Sequence, residues 1–194
     1  MNRRQRSRIV LPVLLAALAG IFPARGVPQT SSALDLHGKA VDPLKASSGK
    51  LAVLVFVRTD CPISNRYAPV IQKMSADYAA RSSFWLVYPD KSESPENISR
   101  HLKQYGYQLP ALRDTKHALV QLSQVEITPE AAVFDSAGHL VYHGRIDNWY
   151  EDFGRSRPAP TTHELRDAIQ AALNGKAPAV AATQGVGCYI SDLK

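Results

Sequence analysis

The sequence predicts an α/β fold in a single domain, and three observations carry that prediction. Leu51-Ala-Val-Leu-Val-Phe-Val57 is an unbroken apolar run rich in β-branched residues, the pattern of a strand buried on both faces. After it, apolar runs and helical stripes alternate along the chain, as in layered α/β folds. Two further apolar runs about the turn Asp135-Ser-Ala-Gly138, followed by an amphipathic helix, place an antiparallel hairpin and a covering helix at the end of that series.

The elements follow in order. Residues 1–26 have the three parts of a secretory signal: Arg3, Arg4, Arg6 and Arg8, an apolar stretch from Ile9 to Phe22, and small residues around Ala24 and Gly26. As a helix that stretch spans about 21 Å, short of a hydrocarbon core of roughly 30 Å, so export with cleavage is expected and an uncleaved anchor is the rival. Residues 27–33 read as a linker, and Leu34 to Val41 as a short hairpin about His37-Gly38. Past the central strand, Ser64 to Arg81 reads as a helix with Ile71, Met74 and Tyr78 on one face and Pro69 near its first turns. Phe84 to Tyr88 is a second strand. Ser94-Pro95-Glu96 starts a helix that Gly106 stops, and His117 to Leu122 a shorter one. Ala131 to Phe134 and His139 to Ile146 form the hairpin. Asn148 to Pro160 is irregular and aromatic, a lid or an ordinary packed loop. Thr161-Thr-His-Glu164 matches a capping box, and Leu165, Ala168, Ile169, Ala172 and Leu173 form the apolar stripe behind it. The domain is expected over 34–175, and 176–194 is a tail carrying Cys188.

Length and charge exclude several classes. At 194 residues the chain supports one sizeable core. Its net charge of +6 belongs to the leader, whose first 26 residues hold five arginines and no acid, so nothing in the remainder supports nucleic-acid binding. Membrane contact is expected only through an uncleaved leader. The two cysteines, Cys61 and Cys188, are too few for a paired-cysteine zinc site, and the six histidines show no ligand spacing on a helix, so no metal or other cofactor is expected. His139 and His143, four apart on one strand, read as solvated residues.

Cys61 is the candidate for chemistry. It follows the central strand and is itself followed by Pro62-Ile63-Ser64-Asn65, at a helix start where the helix dipole favours a thiolate. The plainer reading, a buried core cysteine, is opposed by its polar, turn-forming neighbours. Arg58 can stabilise the thiolate if its side chain turns to the site, and Ser64 can hydrogen-bond it. Cys188 is the one other thiol: a resolving cysteine that condenses with an oxidised Cys61, within or between chains, a structural clip, or an inert tail residue. Thr128-Pro129 is either a plain turn or a cis-proline turn before a strand.

The strand running into Thr59-Asp60-Cys61-Pro62, Pro69 eight residues on, and Ile127-Thr128-Pro129 just before a strand together resemble the thioredoxin-like superfamily, and within it the redoxins near the alkyl hydroperoxide reductase/thiol-specific antioxidant group. The resemblance implies a thioredoxin-like fold: a central mixed β-sheet flanked by helices, here with an N-terminal hairpin extension and a C-terminal tail. It implies a redox thiol at Cys61 with Thr128 and Pro129 lining the substrate groove and Thr59, Pro62, Ser64 and Asn65 around the thiol. The chain departs from the family where thioredoxins place a second cysteine: that position is Ser64. The expected function is an exported, periplasmic or extracellular thiol oxidoreductase whose substrate is a peroxide or a protein disulfide, re-reduced by a partner protein. The alternative is a non-catalytic module, a copper carrier or a partner-docking domain with a degenerate Cys-x-x-Ser site.

Overall fold

The computed structural model describes residues 31–191 and 193; the leader, and the linker as far as residue 30, lie outside the described residues. The chain enters through an antiparallel hairpin, β1 (Ala33–Leu34) and β2 (Ala40–Val41), whose turn uses Gly38 at φ +82°. Asp42 then caps a single turn, α1 (Pro43–Ala46), accepting from the Leu44 and Lys45 amides. The central strand β3 (Leu51–Phe56) is buried along its whole length, as its unbroken apolar run requires.

The one helix expected over 64–81 is two: α2 (Pro62–Arg66) and α3 (Ala68–Tyr78), divided at Tyr67. Pro69 is the cause. It has no N–H to give the Asn65 carbonyl, so the ladder cannot run through. Next come β4 (Ser82–Tyr88), α4 (Pro95–Gln104) with Ser94 accepting from the Asn97 amide as its cap, and β5 (Ala111–Arg113). After them lie α5 (Ala118–Ser123), β6 (Ile127–Thr128), β7 (Glu130–Phe134) and β8 (Leu140–Gly144). The aromatic segment folds into a small hairpin, β9 (Tyr150–Asp152) and β10 (Arg155–Ser156). The last helix is α6 (Glu164–Leu173), and the tail ends in a short strand, β11 (Cys188–Tyr189).

The main sheet runs β2-β1-β5-β4-β3-β7-β8. β3, β4 and β5 are parallel, while β7 runs antiparallel to both β3 and β8, so the sheet is mixed. Alternation along β3 sends Val53 and Val55 to one face and Leu54 and Phe56 to the other. The first face packs Ile71, Ile98, Leu165 and Ile169 of α3, α4 and α6; the second packs Leu119 and Val120 of α5 together with Ile190 of the tail. The capping box expected at Thr161 does not form. His163 is the residue before α6 and makes no side-chain cap, because Glu164 is drawn instead to Arg145 and the Thr162 hydroxyl. Among the described residues no helix is long and apolar enough to cross a membrane.

Candidate active site

β3 delivers the chain to the carboxyl end of the parallel strands, and Cys61 stands there as the residue before α2, with Pro62 at the first helical position. Its side chain is fully buried and makes no cap bond, so the sulfur is free to face across the sheet end. There it meets the other thiol of the chain. Cys188 Sγ lies 3.0 Å from Cys61 Sγ, both cysteines are free, and Cys61 Sγ is 3.3 Å from the Thr128 carbonyl oxygen.

Two opposing influences act on the Cys61 thiol. Burial disfavours its ionisation; hydrogen bonds from Cys188, from the Ser64 hydroxyl and from the Ser64 amide favour it and win, setting the thiol below its ordinary value. The Ser64 hydroxyl is buried and has no other partner, which leaves it to the Cys61 sulfur. Cys188 goes the other way. Burial and its hydrogen bond to Cys61 push it up, the Cys61 charge adds to the effect, and Arg58 offsets only part. The pair is therefore polarised, with Cys61 the more acidic thiol and Cys188 the less acidic one. Arg58 itself is held by Asp60 at 3.0 Å and Asp90 at 3.1 Å.

Behind Cys61 a buried polar chain fixes the loop. Asn65 donates to the Thr59 carbonyl at 3.1 Å, so its own oxygen must accept from His101 Nε2 at 2.7 Å. That assigns the proton to Nε2 and leaves Nδ1 to accept from the Tyr88 hydroxyl at 2.8 Å. Burial lowers the His101 pKa to about 4, which keeps this neutral form. On the other side Glu93 accepts from the Thr59 amide at 2.7 Å, and burial raises its carboxyl above the usual range despite that bond.

The second wall is the tail. Thr128-Pro129 is a cis peptide bond, and β11 pairs antiparallel with β6, Cys188 opposite Thr128 and Tyr189 opposite Ile127. The Thr128 hydroxyl donates to the Cys188 carbonyl at 3.2 Å. Gly187 lies so close that a Cβ there would stand 2.0 Å from the Thr128 oxygen. The groove beside Thr128 is thus filled by the protein's own chain.

The sequence-derived set therefore converges in part. Cys61, Ser64, Thr128 and Cys188 meet at the sulfur pair, and Pro129 is buried next to Thr128. Thr59 and Asn65 hold the loop through backbone and amide contacts, while the Pro62 ring is exposed. The aromatic segment packs on Tyr67, in the same core cluster as Cys61. Trp149 stands edge-on to Tyr67 at 5.5 Å, the Tyr67 hydroxyl donates to Asp147, and only Phe153 at the hairpin tip is largely exposed. Glu93, His101 and Glu130 escaped the sequence reading, since a lone acid or histidine on a polar stretch reads as solvated until its distant partners are known. Among the described residues no group of three His, Cys, Asp or Glu side chains is placed to hold a metal ion.

The redoxin family model matches residues 24–151 of this chain. Among solved structures, an uncharacterized conserved protein from Geobacillus kaustophilus superposes with a TM-score of 0.70 at 23% identity, over 82% of this chain and 86% of its own. A hypothetical protein from Sinorhizobium meliloti 1021 gives 0.67 at 23% identity, over 82% and 88%. A secreted Mycobacterium tuberculosis disulfide oxidoreductase homologous to E. coli DsbE gives 0.51 at 18% identity, over 76% and 96%. These likenesses establish the thioredoxin-like fold. A comparison with curated proteins finds no match.

Proposed function

This chain belongs to the redoxin family, and on that premise we propose that it is an exported dithiol oxidoreductase in which Cys61 attacks and Cys188 resolves. The observation that carries the reading is the contact of two free thiols at 3.0 Å, one depressed and one raised in pKa. With a peroxide, the Cys61 thiolate attacks an oxygen: an S–O bond forms, the O–O bond breaks, and the leaving alkoxide or hydroxide takes a proton. Cys188 then attacks the sulfenic sulfur, the S–S bond forms, and the S–O bond breaks with release of water. An external thiol of a partner protein returns the disulfide to two thiols by exchange. Ser64, in the place of a second nearby cysteine, keeps Cys61 from closing a local disulfide and leaves Cys188 as its partner.

Exchange with a protein disulfide is the second reading, and one observation favours it: β6 already accepts an extended strand beside Cys61. Export rests on the arginine-rich, apolar leader. Copper carriage is the reading from another class, and stoichiometric copper that is lost with Cys61→Ser would favour it, since two adjacent thiols are soft donors.

Intact mass and thiol count, before and after one equivalent of hydrogen peroxide, test the reading. Loss of two hydrogens with both thiols consumed supports it. Two free thiols that ignore both peroxide and an oxidised protein substrate would remove it.

A further inference from the structure

Apart from the contact of its cysteine with Cys61, the tail is fastened at three places. Upstream, the Thr183 amide donates to the His143 carbonyl at 3.1 Å, and the Thr183 hydroxyl meets Tyr142 and the Arg145 amide. Downstream, β11 lies on β6, the Ile190 amide donates to Glu126 at 2.9 Å, and the Ile190 side chain is buried in the far core. Between them stands Glu130, the first residue of β7 and almost fully buried. One of its carboxylate oxygens accepts from the Gly185 amide at 2.8 Å. The other accepts from the amides of Glu126 at 3.0 Å and Ile127 at 3.3 Å.

A buried carboxylate is costly unless donors surround it, and amide bonds to an ionised acceptor are strong. Here the donors come from two separate stretches of chain. Two belong to the run leading into β6, which holds the Thr128 carbonyl against Cys61. The third belongs to the tail, three residues before Cys188. An apolar residue at 130 could fill the same space but could not tie the two stretches in one register. Gly185 and Gly187 make the close approach feasible: a Cβ on Gly185 would come within 2.8 Å of the Glu130 side chain.

We propose that Glu130 is a positioning residue, the latch that holds residues 183–190 in the register that delivers Cys188 to Cys61. The proposal rests on Cys188 being the resolving thiol. A latched tail presents Cys188 at a high effective concentration, whereas an unlatched one searches from a flexible tether.

The test uses the full chain, the variants Glu130→Ala and Gly185→Ala, and two readouts on reduced protein. Gly185→Ala acts on the same contact from the tail side, its Cβ displacing the Glu130 carboxylate, so it serves if Glu130→Ala does not fold. After one equivalent of hydrogen peroxide, both variants are expected to form the Cys61–Cys188 disulfide about ten- to a hundredfold more slowly than the unaltered protein. They accumulate a Cys61 sulfenic acid that dimedone traps. Disulfide formation at the unaltered rate in both overturns the latch. The second readout does not depend on the redox reading. Alkylation of Cys188 in the reduced protein accelerates in both variants if the tail is unlatched, and equal rates overturn the proposal. Absence of any disulfide in the unaltered protein, with accelerated Cys188 alkylation in the variants, keeps the latch and removes its catalytic purpose.

Discussion

The sulfur of Cys61 is set by neighbours whose effects can be separated one at a time. Ser64 supplies a hydroxyl with no other partner, so Ser64→Ala removes a bond to the thiolate and leaves the thiol packed. The midpoint of the pH dependence of Cys61 alkylation is expected to rise by about one to two pH units. His101 gives a different signature, in stability. Its folded value, about 4, is below the ordinary 6.5, so the unfolded chain takes up a proton first as pH falls. The stabilisation is whole above about 6.5 and is lost on the way down to about 4. His101→Phe cannot titrate. The stability gap between the unaltered protein and this variant, measured by chemical denaturation, should therefore shrink by up to about 3 kcal/mol between pH 7 and pH 4. At this scale the sequence disclosed Cys61, because a strand, a cysteine and a helix-starting proline are consecutive. Glu130 and His101 stayed hidden, because each is defined by partners far away in sequence.

Elements with a local cause were legible. Ser94-Pro95 announces α4 and the structure caps it there; Ser94→Ala should cost about 1 kcal/mol in denaturation experiments. The stripe on α6 is likewise real. Ile169 is fully buried, and Ile169→Ala is expected to destabilise by about 2–5 kcal/mol. Elements with a distant cause were not. β5 is three residues long and exists because β4 and β1 offer it edges, and β11 exists because β6 receives it. The capping box failed for a similar reason: its glutamate found a tertiary arginine more favourable than a local amide. Periodicity reads a segment against itself, whereas these segments take their form from neighbours in space.

For the molecule as a whole, the decisive contact is also the most remote. Cys61 and Cys188 are 127 positions apart, and joining them would remove much of the freedom of the unfolded chain. The oxidised protein should exceed the reduced one by roughly 4–5 kcal/mol in unfolding free energy. Matched denaturation curves with and without reductant measure the difference, and coincident curves would show that the two thiols never join. The layered sheet was readable from the alternation of apolar runs, but the return of the tail to the sulfur of Cys61 was not. The tail up to Gly187 is rich in alanine, proline and glycine, and its place is set by Glu130, Thr128 and a pocket for Ile190. That same geometry separates the tail from the sheet it covers. No pairing among the seven strands of the main sheet runs through β11, which lies on β6 alone. Peeling residues 183–190 away would therefore bare Cys61 while leaving every strand of that sheet with its neighbours.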